Sequence, residues 1–521
     1  MSTALIAVEV KRFEDAEAAF YGLTRRLVEP AVMNMTHGQV EAVIETDGRE
    51  ILRQLYQGYI NLRGSGDVGP SVLGSDGVLR THKDESHRVM ETLFGRVEVN
   101  RMGYRMPGVP TLFPLDAELN LPDSLYSHGA QQRVARSAAS TSYETTVAEL
   151  AATTGASVPK RQAEETAVRA AADFDEFYAL REEQAASSAA QTGAVLVVTQ
   201  DSKGIVMRKE DLRPATRKAA STRQHKLSSR LSRGEKRNAR RMANVAAVYT
   251  IVAQPRTPED IVRELDAVES QPALPRPRPE QKRVWASLEK SIEELTESAF
   301  LEGFRRDPLR EKKWCALVDG NKTQLAALHA AAARHHVDLS IVVDVIHVTE
   351  YLWKAARALH EETSQEGADW VRERLLLLLR GKSSSVAAGM RRSATRRGLC
   401  PEDRKPVDDC ARYLLNNRPY LRYDVFLAEG FPIATGVIEG ACRHLVKDRM
   451  DLTGARWSLA GAEAILRLRS LRSSGDFDEY WPFHELQDHI HNHLRHYPNG
   501  EVPRSTAPSP GRTQPNLRLV K

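Results

Sequence analysis

The stretch AVLVVTQDSKG, residues 194–204, decides how the rest of the chain is read. It is a continuous apolar run that closes on a carboxylate, Asp201, which is the pattern of a buried strand. Two later stretches repeat it. WCALVDGNKTQ (314–324) is a strand that reaches Asp319 and then turns. LSIVVDVIHVTEYLWKAA (339–356) is a strand that reaches Asp344 and runs into a helix. NVAAVYTIVAQ (244–254) reads as a further strand, and 280–306 as a helix with Trp285, Leu288, Ile292 and Leu295 at helical spacing. The order from 194 onward is strand, strand, helix, strand, helix, strand, helix, which argues an α/β domain. In an open α/β sheet, ligands bind outside the carboxyl ends of the strands. Asp201, Asp319 and Asp344 therefore stand as carboxylates on a rigid platform. Any one of them also suits a helix N-cap or a turn; three in one domain go beyond capping.

The chain has 521 residues, 41% hydrophobic and 27% charged. At roughly 150 residues per domain this suggests about three domains, enough for a real core. Four cysteines (315, 400, 410 and 442) in 521 residues exclude a disulfide scaffold, and their lack of C-x-x-C spacing argues against a zinc ribbon or finger. Reduced thiols fit a cytoplasmic place. No apolar stretch reaches the ~18 residues of a membrane span; the run Leu375 to Leu379 is bracketed by Arg374 and Arg380. The N-terminus lacks the basic start and clean apolar region of a signal peptide.

Upstream of 190 the reading is mostly helical. Residues 1–85 form an N-terminal helical region, with apolar positions at helical spacing from Gln39 to Arg63. Residues 86–125 form a small β ribbon, broken by Gly and Pro and ending at PLDAELNLP (114–122). Residues 126–185 return to helix. Within them SYETTVAELAATTGASVPKRQAEETAVRAAADF has the outline of a helix-turn-helix at 143–171, with Lys160, Arg161 and Gln162 near its reading end. An ordinary helical hairpin fits the same outline. Between Arg213 and Arg241 there are 11 Lys/Arg and one acidic residue, Glu235. Such a segment is a solvated insertion or a phosphate-binding arm. PALPRPRP (272–279) reads as an extended linker.

A fourth carboxylate has a setting of its own. GVIEGACRHLVKDRMDLTGARWS (436–458) reads as a helix with Glu439 near its start. Spacing of i, i+3, i+4 and i+7 puts Glu439, Cys442, Arg443 and Val446 on one face. Glu439 and Arg443 then point together, one to a metal and one to phosphate, or they form a plain surface ion pair. Magnesium takes oxygen ligands, often one or two carboxylates plus phosphate oxygens and water. Two such ions activate an attacking oxygen and stabilise a leaving one.

The segments DSKGIVMRKEDLR, WCALVDGNKTQL, IVVDVIHVTEYLWKAA, GVIEGACRHLVKDRMDLTGARWS and SGDFDEYW (474–481) together resemble the signature blocks of a bacterial insertion-sequence family, the Kra group of DDE transposases. PLDAELNLP, TTGASVPKRQAEE and DFDEFY (173–178) resemble its N-terminal part. The resemblance runs in order from about residue 85 to 490. It implies an RNase H-like catalytic core at 190–356 and 431–495, interrupted by a helical insertion at 357–430. The preceding helical region and its β ribbon would be DNA-binding, and residues 496–521 read as a disordered tail. It implies Asp201, Asp319 and Glu439 as the catalytic, metal-holding set for magnesium, with manganese substituting. Asp344 stands as a further metal candidate, and His347 lies in the same block. It also implies double-stranded DNA as partner and a homo-dimer on DNA. One departure stands out: where the family commonly reads Asp-Gly-Lys-Gly, this chain has Asp201-Ser202-Lys203-Gly204.

The expected activity is cleavage and strand transfer at the ends of an insertion sequence. Lys203, Arg208, Arg213, Arg217 and Arg443 are candidates for DNA backbone contacts. The rival is an inactive or domesticated copy that only binds DNA, and a structure-specific nuclease is a third reading. No G-x-G-x-x-G, Walker loop or G-x-S-x-G supports a metabolic enzyme. His335-His336 and the C-terminal His484, His489, His491, His493 and His496 lack ligand spacing and read as surface histidines.

Overall fold

The computed structural model describes residues 11–184, 192–221, 239–266, 277–361, 364–452 and 454–504. The middle of the basic arm (222–238), the start of the proline linker (272–276) and the tail beyond 504 lie outside the described residues. The chain divides into two compact units. One is Met1–Asp173 with Asp478–Lys521; the other is Phe174–Phe477.

In the first unit, a capping box of Thr36 and Gln39 opens α1 (His37–Leu62). β1 (Val72–Leu73) pairs with β2 (Leu79–Arg80), and β3 (His82–Thr92) pairs antiparallel with β4 (Gly95–Arg105). The ribbon thus begins at His82, four residues before the expected boundary. Its buried side is short: Met90, Val97 and Val99 pack with Ile60, Leu115 and Leu121. Helix His128–Ala138, α2 (Tyr143–Thr153) and α3 (Lys160–Ala170) close round Ala130, Val134, Leu150, Val158 and Ala163.

The C-terminal helix Phe477–Asn492 belongs to this unit from Asp478 onward, which departs from the expected run of the core to 495. Its histidines give the reason. His489 Nε2 and His493 Nε2 sit 2.7 Å from the carbonyls of Ala117 and Leu121, and His484 Nδ1 is 2.6 Å from Asp173. These three are structural clamps and not the surface groups that their spacing suggested. Tyr497 is buried beside Tyr104 and Leu112, so ordered chain also continues past 496, to 504.

The second unit is α/β. Its five-stranded mixed sheet has the order β7-β6-β5-β8-β9, with β5 (Val195–Val206), β6 (Arg240–Ile251), β7 (Glu280–Ser287), β8 (Lys313–Val318) and β9 (Leu339–Val343). β5 and β6 form one long antiparallel pair, Val195↔Ile251 to Val206↔Arg240, and β7 adds antiparallel to β6. β8 and β9 run parallel to β5. Val195–Val198 have no exposed surface, as a strand covered on both faces requires.

The helix expected over 280–306 is a strand followed by a helix. Val284 to Ser287 are buried in succession along an edge strand, so the spacing of Trp285 and Leu288 was coincidental. The helix α4 (Ile292–Arg306) starts at a capping box of Ser291 and Glu294. On it, Glu302 is fully buried between Arg283, Arg305 and Arg306, and Arg283 lies 3.3 Å from the ring centre of Tyr178.

α5 (Val345–Arg357) follows β9, and α6 (Pro401–Asn416) is the last long helix of the 357–430 segment. The helices of that segment share one core with the sheet, through Leu352, Trp370, Leu375, Val407 and Leu414. α7 (Gly436–Ala441) carries Glu439, and α8 (Leu459–Ser474) packs against β7.

Candidate active site: a carboxylate edge

The sheet register lines up the aspartates. Thr199 pairs with Leu317 at the end of the parallel ladder between β5 and β8, and Asp201 and Asp319 each lie two residues beyond that pair. Neighbouring strands lie ~4.8 Å apart, and level residues face the same side of a sheet. Val318 pairs with Val343, which puts Asp344 next in the same row. The strand does not end at Asp201, however. β5 runs on to Val206 against β6, so Asp201 lies within a β ribbon that outreaches β8.

Each carboxylate has different surroundings. Asp201 is half-buried; its Oδ1 accepts the Ser202 N–H at 2.6 Å and its Oδ2 accepts the Cys442 thiol at 3.2 Å. Asp319 closes a turn by accepting the Asn321 N–H at 3.0 Å, and its carbonyl accepts the Tyr413 hydroxyl at 2.9 Å. Asp344 is 2% exposed. It caps α5 through the Ile346 N–H at 2.8 Å and takes the Thr435 hydroxyl on its other oxygen. Burial raises its pKa, against the opposing pull of those hydrogen bonds. Both of its oxygens are thus engaged, and Asp344 anchors the strand end.

Glu439 is exposed. Its Oε1 lies 3.5 Å from the Thr435 hydroxyl oxygen that donates to Asp344. One turn later Cys442 meets Asp201. The short helix is therefore tied to the row at both ends. After Ala441 the helix widens into a π-turn, Cys442–Lys447, before Asp448–Met450 resumes α geometry. This turn overrides the expected single face. Arg443 does not join Glu439; it is exposed and lies 3.7 Å from Asp448. The helix also stops at Met450, short of 458. Arg469 on α8 donates to the carbonyls of His444 and Leu445 within the turn.

Thr435, Tyr413 and Arg469 carry no chemical motif and were invisible in the sequence, whereas Cys442 had appeared on the Glu439 face. His347 is half-buried, with its ring against Tyr351 and Tyr413 and Nδ1 3.9 Å from Glu350.

Among the described residues, no three His, Cys, Asp or Glu side chains converge closely enough to make a ready metal cage. The carboxylate oxygens of the edge are the donor type that hard divalent cations take. Magnesium is commonly held by one or two carboxylates with phosphate oxygens and water completing the shell. Asp201 and Asp319, each two residues beyond the last β5–β8 pair, offer oxygens of this type, as does Glu439.

The basic candidates surround two places. Lys203 and Arg208 are exposed on the β5 extension, and Arg213 and Arg217 follow; Arg217 donates to the carbonyls of Glu210 and Leu212. In the first unit, Lys160 and Arg161 open α3 and stand 3.7 Å from Glu144 and 3.0 Å from Glu165. No helix among the described residues is long and apolar enough to cross a membrane. No model of a known protein family matches the chain, and no curated protein sequence is significantly similar to it.

Proposed function

We propose that the chain is a DNA transposase that cuts and joins phosphodiesters at the ends of an insertion sequence, through an RNase H-like core. The observation that carries this reading is that Asp201 and Asp319 both lie just beyond the last pair of the parallel β5–β8 ladder, with Cys442, from the chain that continues the Glu439 helix, bonded to Asp201. A sheet of three antiparallel strands followed by two parallel ones, with acids on the first and fourth strands and on a later helix, suits that core.

In this reading Asp201 and Asp319 form a rigid base and Glu439 closes over the bound phosphate. Magnesium, or manganese in its place, would lower the pKa of the attacking oxygen and stabilise the leaving one. Asp344 and Tyr413 fix the strand end and the turn that hold Asp319. Lys203, Arg208 and Arg443 meet the DNA backbone, and α3 reads the terminal repeat from the first unit. Two ends held together call for a homo-dimer on DNA, and access to the chromosome goes with a cytoplasmic place.

The test is magnesium-dependent cleavage of DNA carrying the flanking ends of the gene, wild type beside Asp201→Asn. Cleavage by wild type alone supports the reading. Binding without cleavage in either protein moves the assignment to a copy that only binds DNA.

A further inference from the structure

We infer that Arg469 is a positioning residue for the carboxylate edge: its guanidinium holds open the π-turn that seats Cys442 on Asp201 and sets the face from which Glu439 reaches the row. Its catalytic consequence rests on the transposase reading; its structural consequence does not.

A π-turn inserted in a helix is rare and leaves i→i−4 hydrogen bonds unmade. Here the two adjacent carbonyls of His444 and Leu445 accept from one side chain, Arg469 Nε to Leu445 at 3.0 Å and Nη2 to His444. The rigid planar fork of arginine fixes two such acceptors at once, whereas lysine brings a compact ammonium on a flexible stem. Burial, with Arg449 and Arg472 nearby, brings the Arg469 pKa down to about 10, so the group is still a cation at neutral pH.

The turn is anchored on both sides. Before it, Thr435 ties the helix start to Asp344. After it, the Trp457 indole N–H donates to the Met450 carbonyl at 3.1 Å, and Arg449 lies 4.8 Å from the Trp457 ring centre. With fixed ends, a return to α geometry must be absorbed as rotation between them. An α-helix turns about 100° per residue. A register change of that size carries the Cys442 thiol off Asp201 Oδ2 and turns Glu439 relative to the row.

The experiment uses the full chain and two readouts. Of the four free thiols, Cys400 is exposed and Cys315, Cys410 and Cys442 are buried. The wild type should show one fast thiol toward a disulfide reagent. Arg469→Met should show a second, which Cys442→Ser removes. Cleavage by Arg469→Met should fall about 100-fold, as small misplacements of reacting groups do, with DNA affinity retained. Arg469→Lys, a milder change in case the Met variant folds poorly, should fall between. An unchanged thiol count in both variants overturns the inference, and so does a second fast thiol with undiminished cleavage. If the wild type cuts no DNA but the second thiol appears, the transposase reading has failed and the latch on the turn stands.

Discussion

The Cys442 thiol donates to Asp201 Oδ2 across 3.2 Å, from the Glu439-bearing helix to the strand beneath it. Burial, together with the Asp201 carboxylate, pushes the thiol pKa up, so the sulfur keeps its proton and remains a donor. Asp201→Asn preserves an acceptor for this thiol while removing the charge. Its fold and DNA affinity should match the wild type, and cleavage should fall on the order of 100- to 1,000-fold. Thermal unfolding, a binding isotherm and a cleavage time course on one preparation check this. Wild-type cleavage by the variant would remove Asp201 from the site.

Thr435 donates its one hydroxyl proton to Asp344, and Glu439 Oε1 lies 3.5 Å from the same oxygen. Thr435→Val leaves the buried Asp344 with one donor fewer, which should cost about 1–3 kcal/mol of stability. Denaturant unfolding measures it. Glu439 should also become less ordered, so cleavage should fall further than Asp344 anchoring alone explains. Thr435→Ser, which keeps the hydroxyl, should restore both.

The carboxylate row was legible because each strand carries an unbroken apolar run into an aspartate, and parallel register then does the rest. The edge strand Glu280–Ser287 was not, since Trp285 and Leu288 also satisfy helical spacing and only pairing with β6 separates the two readings. The continuation of β5 past Asp201 was hidden because Ser202, Lys203 and Gly204 resemble a turn until β6 is placed alongside. The Glu439–Arg443 face failed for a different reason: a π-turn changes the period within the helix, and its support, Arg469, comes from another helix. The histidine clamps were hidden by distance, as His493 meets a carbonyl 372 residues earlier in the chain.

Glu302 supplies a stability prediction. Burial alone would raise its pKa, but Arg283, Arg306 and Arg305 hold it far below the ordinary 4.5. A depressed carboxylate stabilises the fold above its unfolded pKa, and that contribution is lost as pH falls from about 4.5 through the lower folded value. Glu302→Gln leaves three cations facing a neutral amide and should cost about 3–5 kcal/mol. Its unfolding free energy should also depend less on pH below that point than the wild type's does. Equal slopes would show that the cluster is not charged as drawn.

His493 titrates in the opposite chemical sense with the same direction of loss. Burial lowers its pKa from the ordinary 6.5, so the fold prefers the neutral ring whose Nε2–H donates to Leu121. The preference is fully present above about pH 6.5 and is lost as pH falls through the depressed folded value. His493→Gln offers an uncharged amide donor to the same carbonyl. It should flatten the stability curve of the first unit below pH 6.5 while leaving the plateau at pH 8 within about 1 kcal/mol. Hydrogen exchange of the 114–122 segment at the two pH values resolves it.

DNA affinity should report the exposed cations of the β5 extension. Lys203 is exposed, two residues beyond Asp201, and has no ion-pair partner among the described residues; Arg208 is exposed further along the ribbon. Each phosphate contact removed should reduce the slope of log affinity against log salt by about 0.9. Lys203→Gln and Arg208→Gln should therefore lower that slope by about one each, equally on specific and random duplexes, because phosphate contacts carry no sequence information. Lys160→Gln and Arg161→Gln, at the start of α3, should instead lower the preference for the terminal repeat over random DNA. Loss of preference from the β5 pair, with none from the α3 pair, would move sequence reading from the first unit to the core.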